Sequence, residues 1–511
     1  MSTPKPATPQ TGITWPLDAK GRASSTPVNK SVWTTALTAF KSSNNAKQLI
    51  SKIDNEKNWR ANYMKYVNEF VVLQAGASPE ECLDSCRLGL QKLNSTMTWS
   101  VNGEVKSSAL DAMSSSSSTP FVTEIKANSG SSPFSSFTLK SPLGSEAETL
   151  SGKLLKAQGE AWATYGCIEP SASAALTHIS ATISVNKLVE NKVFVLLGAT
   201  SSLGPFKSLA KLGATIACVA RKGKKMEKLI KDAEASSATL LLPTREGVPG
   251  ADLLVDAPAL ADWILSLPKG SEQIVLGCYA YLDGEKHVRA SVAMDLIAEK
   301  VCAQRKGSAL AYLVSPATSH AAPEDAVLDV TQRYMNTPTW HGLFRAGFGT
   351  FAKNTFYNAD NDIKIFNGLS NFQGPNYALA KTSQQWRAML AKAEGAVVSA
   401  NHAPAARTES MVGYATIAAA LEGMQSFPPL VAFDPDTASD MMAAILLWDL
   451  TSSTSAALPS NKDAHPTLLL IQNACHGGMW RCAYDMESVN TPSFLFGRFT
   501  SSYTPTDSLA K

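Results

Sequence analysis

"NKVFVLLGATSSLGPFKSLAKLGATIACVAR", from Asn191 to Arg221, is the stretch on which the fold turns. Val193 to Leu197 are uninterrupted apolar residues, the signature of a strand buried on both faces. Gly198 and Gly204 bound a tight turn, "PFKSLAKLG" has helical spacing, and "ATIACVA" returns to strand. The unit is βαβ, and its parallel strands require a right-handed crossover. Further strand-like runs follow in "ATLLLP", "QIVLGCYAY", "ALAYLVSP", "GAVVSANHAP" and "TLLLIQNA", with helix-like segments between them. This alternation predicts an α/β fold, a Rossmann-like doubly wound parallel sheet spanning residues 191–500.

Upstream the texture differs. Residues 31–190 place apolar side chains at three- and four-residue steps, as in "NWRANYMKYVNEFVVLQAGASPEECLDSCRLGLQKL". Ser78 there can cap a new helix with Pro79 at its first position. These residues read as a mainly helical N-terminal domain with a Ser-rich break at 114–120, and they carry no identifiable chemistry. Residues 1–30 are rich in Pro, Thr and Ser and lack an apolar signal core, so they read as a disordered tail. Residues 501–511 read as a second tail.

Composition narrows the function classes. The 511 residues carry a net charge of only +3, which gives no reason to expect a nucleic-acid or membrane-surface partner. No apolar run is long enough to span a bilayer. The eight cysteines are sparse and irregularly spaced, so buried, reduced thiols are expected and no metal site. Cys475–His476 is an adjacent pair whose side chains point apart. The expected location is cytoplasmic, with organelle targeting by the N-terminal tail left open. A small-molecule substrate is the expected partner, and a homo-oligomer is compatible with the sequence.

The turn "GATSSLG" follows the first strand, where Gly198, Thr200, Ser201, Ser202, Leu203 and Gly204 could present backbone N–H groups to a pyrophosphate. The second strand ends in "VARKGKKMEKL", so Arg221 and Lys222 stand where an NAD-selective protein carries an acid. That replacement points to NADP(H), the alternative being a solvated basic loop. Later, "GPNYALAKTSQQWRAMLAK" puts Tyr377 and Lys381 one turn apart on a helix. Every helix offers such pairs, so spacing alone does not separate catalysis from a solvated face.

Taken in order, these pieces resemble the short-chain dehydrogenase/reductase family over roughly residues 191–499. The resemblance rests on the Gly-rich turn, Ser315 ending "LAYLVS", the Y-x-x-x-K of Tyr377 and Lys381, and "APAARTE", with Thr408, after the sixth strand. It implies an NADP(H)-dependent oxidoreductase that transfers hydride between nicotinamide and a carbonyl or alcohol. Tyr377 would move the proton, Lys381 would tune it and hold the nicotinamide ribose, Ser315 would hold the substrate oxygen, and Gly277 and Thr408 would touch the cofactor. The alternative is a catalytically degenerate Rossmann-fold binding or scaffold protein. "GCYAY", with Gly277 and Cys278, replaces the family's N-N-A-G, and Ser202 fills the slot of the middle glycine.

Ser315 and Tyr377 are 62 residues apart, which implies an insertion at about 318–373. Its aromatic residues either roof the substrate site or pack on the helical part. Ser370, nearer the tyrosine, is the substitute for Ser315. "YAYLDGEKHVR" gathers Asp283, Glu285, His287 and Arg289 after the fourth strand. They form either a polar helix-capping loop or a substrate-contacting one, with Tyr281 or His287 as a proton donor.

Overall fold

The computed structural model describes residues 10–114, 119–127, 130–142, 149–267, 272–459 and 464–499. Its centre is a sheet whose parallel strands are β1 (Lys192–Leu197), β2 (Thr215–Val219), β3 (Thr239–Arg245), β4 (Gln273–Cys278), β5 (Ala309–Val314) and β6 (Val397–His402). In space they run β3-β2-β1-β4-β5-β6, each parallel to its neighbour. The strand order reverses between β1 and β4, the order of doubly wound nucleotide-binding sheets. The chain is therefore a mixed α/β protein with a mainly parallel central sheet, compatible with a Rossmann-like fold. Alternation along β1 explains its unbroken apolar run. Val193, Val195 and Leu197 enter the core on one face of the sheet, and Phe194 and Leu196 enter the core on the other.

The expected strand "TLLLIQNA" is instead a 3-10 turn, Pro466–Leu470. Pro466 has no N–H for a ladder, and His465 accepts from the Thr467 N–H to start the turn.

One face of the sheet carries α1 (Ser25–Leu37), α2 (Asn44–Asn55), α3 (Trp59–Gly76), α4 (Pro79–Thr96), α5 (Leu253–Ser266), α6 (Glu285–Gln304) and α7 (Gly374–Ala393). The start of α4 follows the sequence. Ser78 Oγ accepts from the Glu81 N–H at 3.2 Å, Glu81 accepts from the Ser78 N–H at 3.3 Å, and Pro79 occupies the first turn.

The N-terminal helices share their core with the sheet, docked on it. Trp33 and Phe70 pack on Trp386 of α7, with ring centroids 5.4 and 5.8 Å apart. Gly89 of α4 lies so close to Trp386 that a methyl group there would overlap the ring. Asn94 of α4 donates to Asp295 of α6 at 2.6 Å, and Asp295 is gripped by Arg387 of α7. The later part of the same segment lies elsewhere. Val122–Ala127 joins the central sheet antiparallel to β3. Helices Gly152–Tyr165 and Pro170–Ala181 share the opposite core with α8 (Pro435–Thr451). Amphipathic helices need an apolar surface to cover, and here that surface is the helix layers of the sheet itself.

The tail expectation is corrected for residues 10–30. Gly12–Thr14 pairs with Thr98–Val101, Ile13 and Trp15 are buried, and α1 begins at Ser25. Residues 1–9, the heart of the Ser-rich break at 115–118, and the 501–511 tail lie outside the described residues. The insertion holds a small antiparallel sheet of Ser319–Ala322, Phe356–Asn358 and Lys364–Asn367. Phe351 and Phe366 pack with Phe427, Trp480 and Tyr484 in a third core. Its aromatics therefore pack chiefly on the C-terminal segment. Among the described residues no helix is long and apolar enough to cross a membrane.

Candidate active site

Ser315 follows the last residue of β5, and Tyr377 lies in the first turn of α7. Although 62 residues separate them, the Tyr377 hydroxyl donates to Ser315 Oγ at 2.7 Å. They meet at the carboxyl edge of the sheet, where open α/β sheets bind ligands. Ser370 does not take this place. Its carbonyl accepts from the Tyr63 hydroxyl at 2.7 Å, and its own hydroxyl accepts from the Phe372 N–H.

Lys381 sits one turn after the tyrosine and is half-buried. Its ammonium donates to the Leu313 carbonyl and to Gln384 Oε1, each at 3.3 Å. Gln384 passes the chain on, its amide donating to Ser291 Oγ of α6 at 3.2 Å. Burial brings the Lys381 pKa down to about 8. Burial raises the Tyr377 phenol well above its ordinary value, with the bond to Ser315 pulling the other way. The lysine is thus an ammonium at neutral pH with a proton that it releases easily.

Two further rings complete this corner. His287, in the first turn of α6, stacks on Tyr377 with centroids 5.7 Å apart. Tyr281 lies 4.8 Å from His287 and 6.5 Å from Tyr377. Of the neighbouring ionisable groups, Asp283 bonds Tyr281. Glu285 accepts from the Trp15 indole at 2.6 Å and faces Arg289 at 3.7 Å. Glu285 and Arg289 therefore tie down the N-terminal strand, which leaves Tyr281 and His287 as the members of that loop beside Tyr377.

The Gly-rich turn leaves β1 at Gly198, whose φ of +94° suits glycine. A side chain there would also meet the Ala280 backbone at 2.6 Å. The Gly198, Ala199, Ser201 and Gly204 N–H groups are used within the fold, while no backbone bond takes those of Thr200, Ser202 or Leu203. Ser439 of α8 anchors the Gly204 carbonyl at 2.7 Å. The helix that follows is short, Phe206–Lys211.

Arg221 and Lys222 are exposed, with no ion pair among the described residues. They line a cleft of about 660 Å³ with Phe121, Thr244, Arg245 and Asp252. After β6 the chain crosses the same edge, because Glu409 reaches Lys225 at 2.9 Å, just past the end of β2. Thr408 beside it bonds Ser410 Oγ at 3.1 Å.

Gly277 does not belong to this group. It lies inside β4, where a methyl group would overlap the Tyr279 ring, so it serves packing and offers a cofactor no surface. Cys475 and His476 do not act together either. Burial raises the Cys475 thiol, and His476 bonds Glu169 at 2.8 Å.

Gln384 and Ser291 were missed by the sequence reading. Gln384 is seven residues, two turns, beyond Tyr377 and three beyond Lys381, so helical spacing could have found it. Ser291 carries no comparable signal. No protein-family model and no curated protein matches the chain.

Proposed function

We propose that the chain is an NADP(H)-dependent oxidoreductase of the short-chain dehydrogenase/reductase type, acting on a small carbonyl or alcohol. The observation that carries this reading is the hydrogen bond between Tyr377 and Ser315 at the carboxyl edge of the sheet, with Lys381 one turn away. A carbonyl oxygen placed between the two hydroxyls would receive the Tyr377 proton while Ser315 holds it in position. The bound nicotinamide supplies the hydride. Lys381, held in place by Gln384 and through it by Ser291 of α6, would place a positive charge one turn from Tyr377 that favours the phenolate left after proton donation.

The residues fit an anionic dinucleotide. Unused N–H groups at Thr200, Ser202 and Leu203 can meet the pyrophosphate, and Arg221 and Lys222 can meet the 2′-phosphate. One observation favours the degenerate binding or scaffold reading instead. The Lys381 ammonium is already directed to Leu313 and Gln384, away from the phenol.

The test is NADPH and NADH titration by cofactor fluorescence, on wild type and Arg221→Ala. The expected outcome is tighter NADPH binding, with the preference reduced about tenfold or more by the substitution. Equal binding of both cofactors, or a preference unchanged in the variant, sinks the NADP(H) assignment. NADPH binding with no turnover of any carbonyl would favour the scaffold.

A further inference from the structure

His287 is used by no hydrogen bond. It is 1% exposed, and neither ring nitrogen has a partner among the described residues. Burying an unpaired polar ring carries a cost of about 1–3 kcal/mol, so a structural histidine normally finds a bond. Two other buried rings illustrate the contrast, while His402 shares the lack of a side-chain partner but lies among His320 and Trp480, away from Tyr377. His320 accepts from the Trp480 indole at 2.9 Å, and His476 is held by Glu169. His287 instead lies face to face with the Tyr377 ring, under Tyr281, which is 44% exposed and forms the outer wall. Its position is the first turn after β4, on the reacting side of the crevice.

We propose that His287 recognises a second, uncharged oxygen of the substrate, so that the preferred substrate is a ketone or aldehyde bearing a hydroxyl or carbonyl on the neighbouring carbon. This rests on the oxidoreductase reading. One oxygen of such a molecule sits between Tyr377 and Ser315, and the other reaches the imidazole once Tyr281 moves aside. Burial and the nearby Lys381 ammonium keep the ring neutral. It therefore offers one N–H donor and one bare nitrogen, which suits a hydroxyl or a carbonyl equally. The ring is neutral and the Lys381 ammonium is already held by the Leu313 carbonyl and Gln384, which argues against a carboxylate or phosphate in that position.

The experiment compares diacetyl with butanone, which differ by that second oxygen. Reduction of one carbonyl of diacetyl takes one hydride from NADPH and one proton from the enzyme, giving acetoin and NADP⁺. The quantity read is the ratio of kcat/KM for diacetyl to that for butanone. In wild type the ratio should favour diacetyl, and in His287→Phe it should fall about tenfold or more. His287→Asn, which keeps a donor and an acceptor, should recover part of it. NADPH affinity, measured on each variant, reports that the fold is intact.

A ratio unchanged in His287→Phe, with both substrates slowed alike, would mean that the ring only packs against Tyr377, and the proposal falls. If NADPH binds but neither ketone is reduced, the ring resonances of His287 are followed by NMR as diacetyl is added. Resonances that move in wild type, at a position missing from His287→Asn, support the contact, and resonances that stay fixed overturn it. If NADPH itself does not bind, the oxidoreductase reading has failed and this inference fails with it.

Discussion

At the residue scale, the proposed chemistry rests on how burial sets two protons. Tyr377 is held neutral, because burial raises its phenol and the Lys381 ammonium is aimed elsewhere. Proton donation to a carbonyl therefore suits this site better than abstraction from an alcohol. Tyr377→Phe keeps the ring against His287 and removes only the hydroxyl. NADPH affinity should persist while turnover falls on the order of 10²–10⁴-fold. A variant as fast as wild type would remove Tyr377 from the mechanism. Lys381 adds a pH signature. Its pKa lies at about 8, so the ammonium is lost as pH rises through that value. If the ammonium supports the phenolate left after proton donation, reduction should decline above about pH 8. Lys381→Arg, which stays charged, should lose that decline even if it is slower overall. A basic limb in the same place in both proteins would assign it to another group.

At the scale of elements, legibility followed the strength of the local pattern. β1 to β6 were readable because each strand is a short apolar run bounded by turn residues, and the first βαβ unit fixed their parallel sense. α7 was readable as a helix, and its partner Ser315 was found despite the insertion because each hydroxyl sits at a characteristic element end. Gly277 was misread because sequence shows a glycine in a strand without showing the Tyr279 ring folded over it. For the N-terminal helices, what the sequence could not show was the surface they dock on. Their apolar stripes are real, but a stripe does not say what covers it, and here Trp386 and the Asn94–Asp295–Arg387 link do so. That link is testable. Asp295 and Arg387 are 5% and 7% exposed, so Asp295→Ala would leave the buried guanidinium only its contact with half-exposed Glu299 at 3.3 Å. Removing one partner of such a pair costs about 3–5 kcal/mol. Urea unfolding should show that loss in one transition, followed alike by probes in α4 and in α7. Two separated transitions in wild type would restore an independent N-terminal domain.

At the scale of the whole molecule, three histidines from distant parts of the chain meet in one buried cluster. His320 comes from the insertion, His402 from the end of β6 and His476 from the C-terminal segment. Their rings surround Trp480, and His320 lies 4.1 Å from His402. Burial holds all three below their ordinary pKa, with His320 at about 3; neighbouring rings add to it for His320 and His402, and Arg481 adds to it for His476. The Ser315 backbone opposes this only in part for His402, and Glu169 only in part for His476. The sign follows from linkage. The unfolded chain takes up protons near pH 6.5 while the folded chain does not, so their contribution is complete above about 6.5 and is lost as pH falls. Each histidine can remove about 1.4 kcal/mol per pH unit below that point. Glu169 acts in a lower window. Burial alone would raise it, but His476 and Arg481 bring it down to about 2, so its share persists until pH falls below about 4.5. Asp449, raised by burial, works in the opposite sense, so a single curve does not isolate the cluster. A difference between variants does. Among the described residues no side chain bonds the His402 ring nitrogens, so His402→Phe fills its place without adding a titrating group. The urea midpoint of wild type should fall between pH 7.5 and 5.5, and the variant should fall less, by about one proton's worth of slope. Parallel curves for the two proteins would show that His402 stays unprotonated in both states or protonates equally in both. The acid sensitivity of the fold would then have to come from outside the cluster.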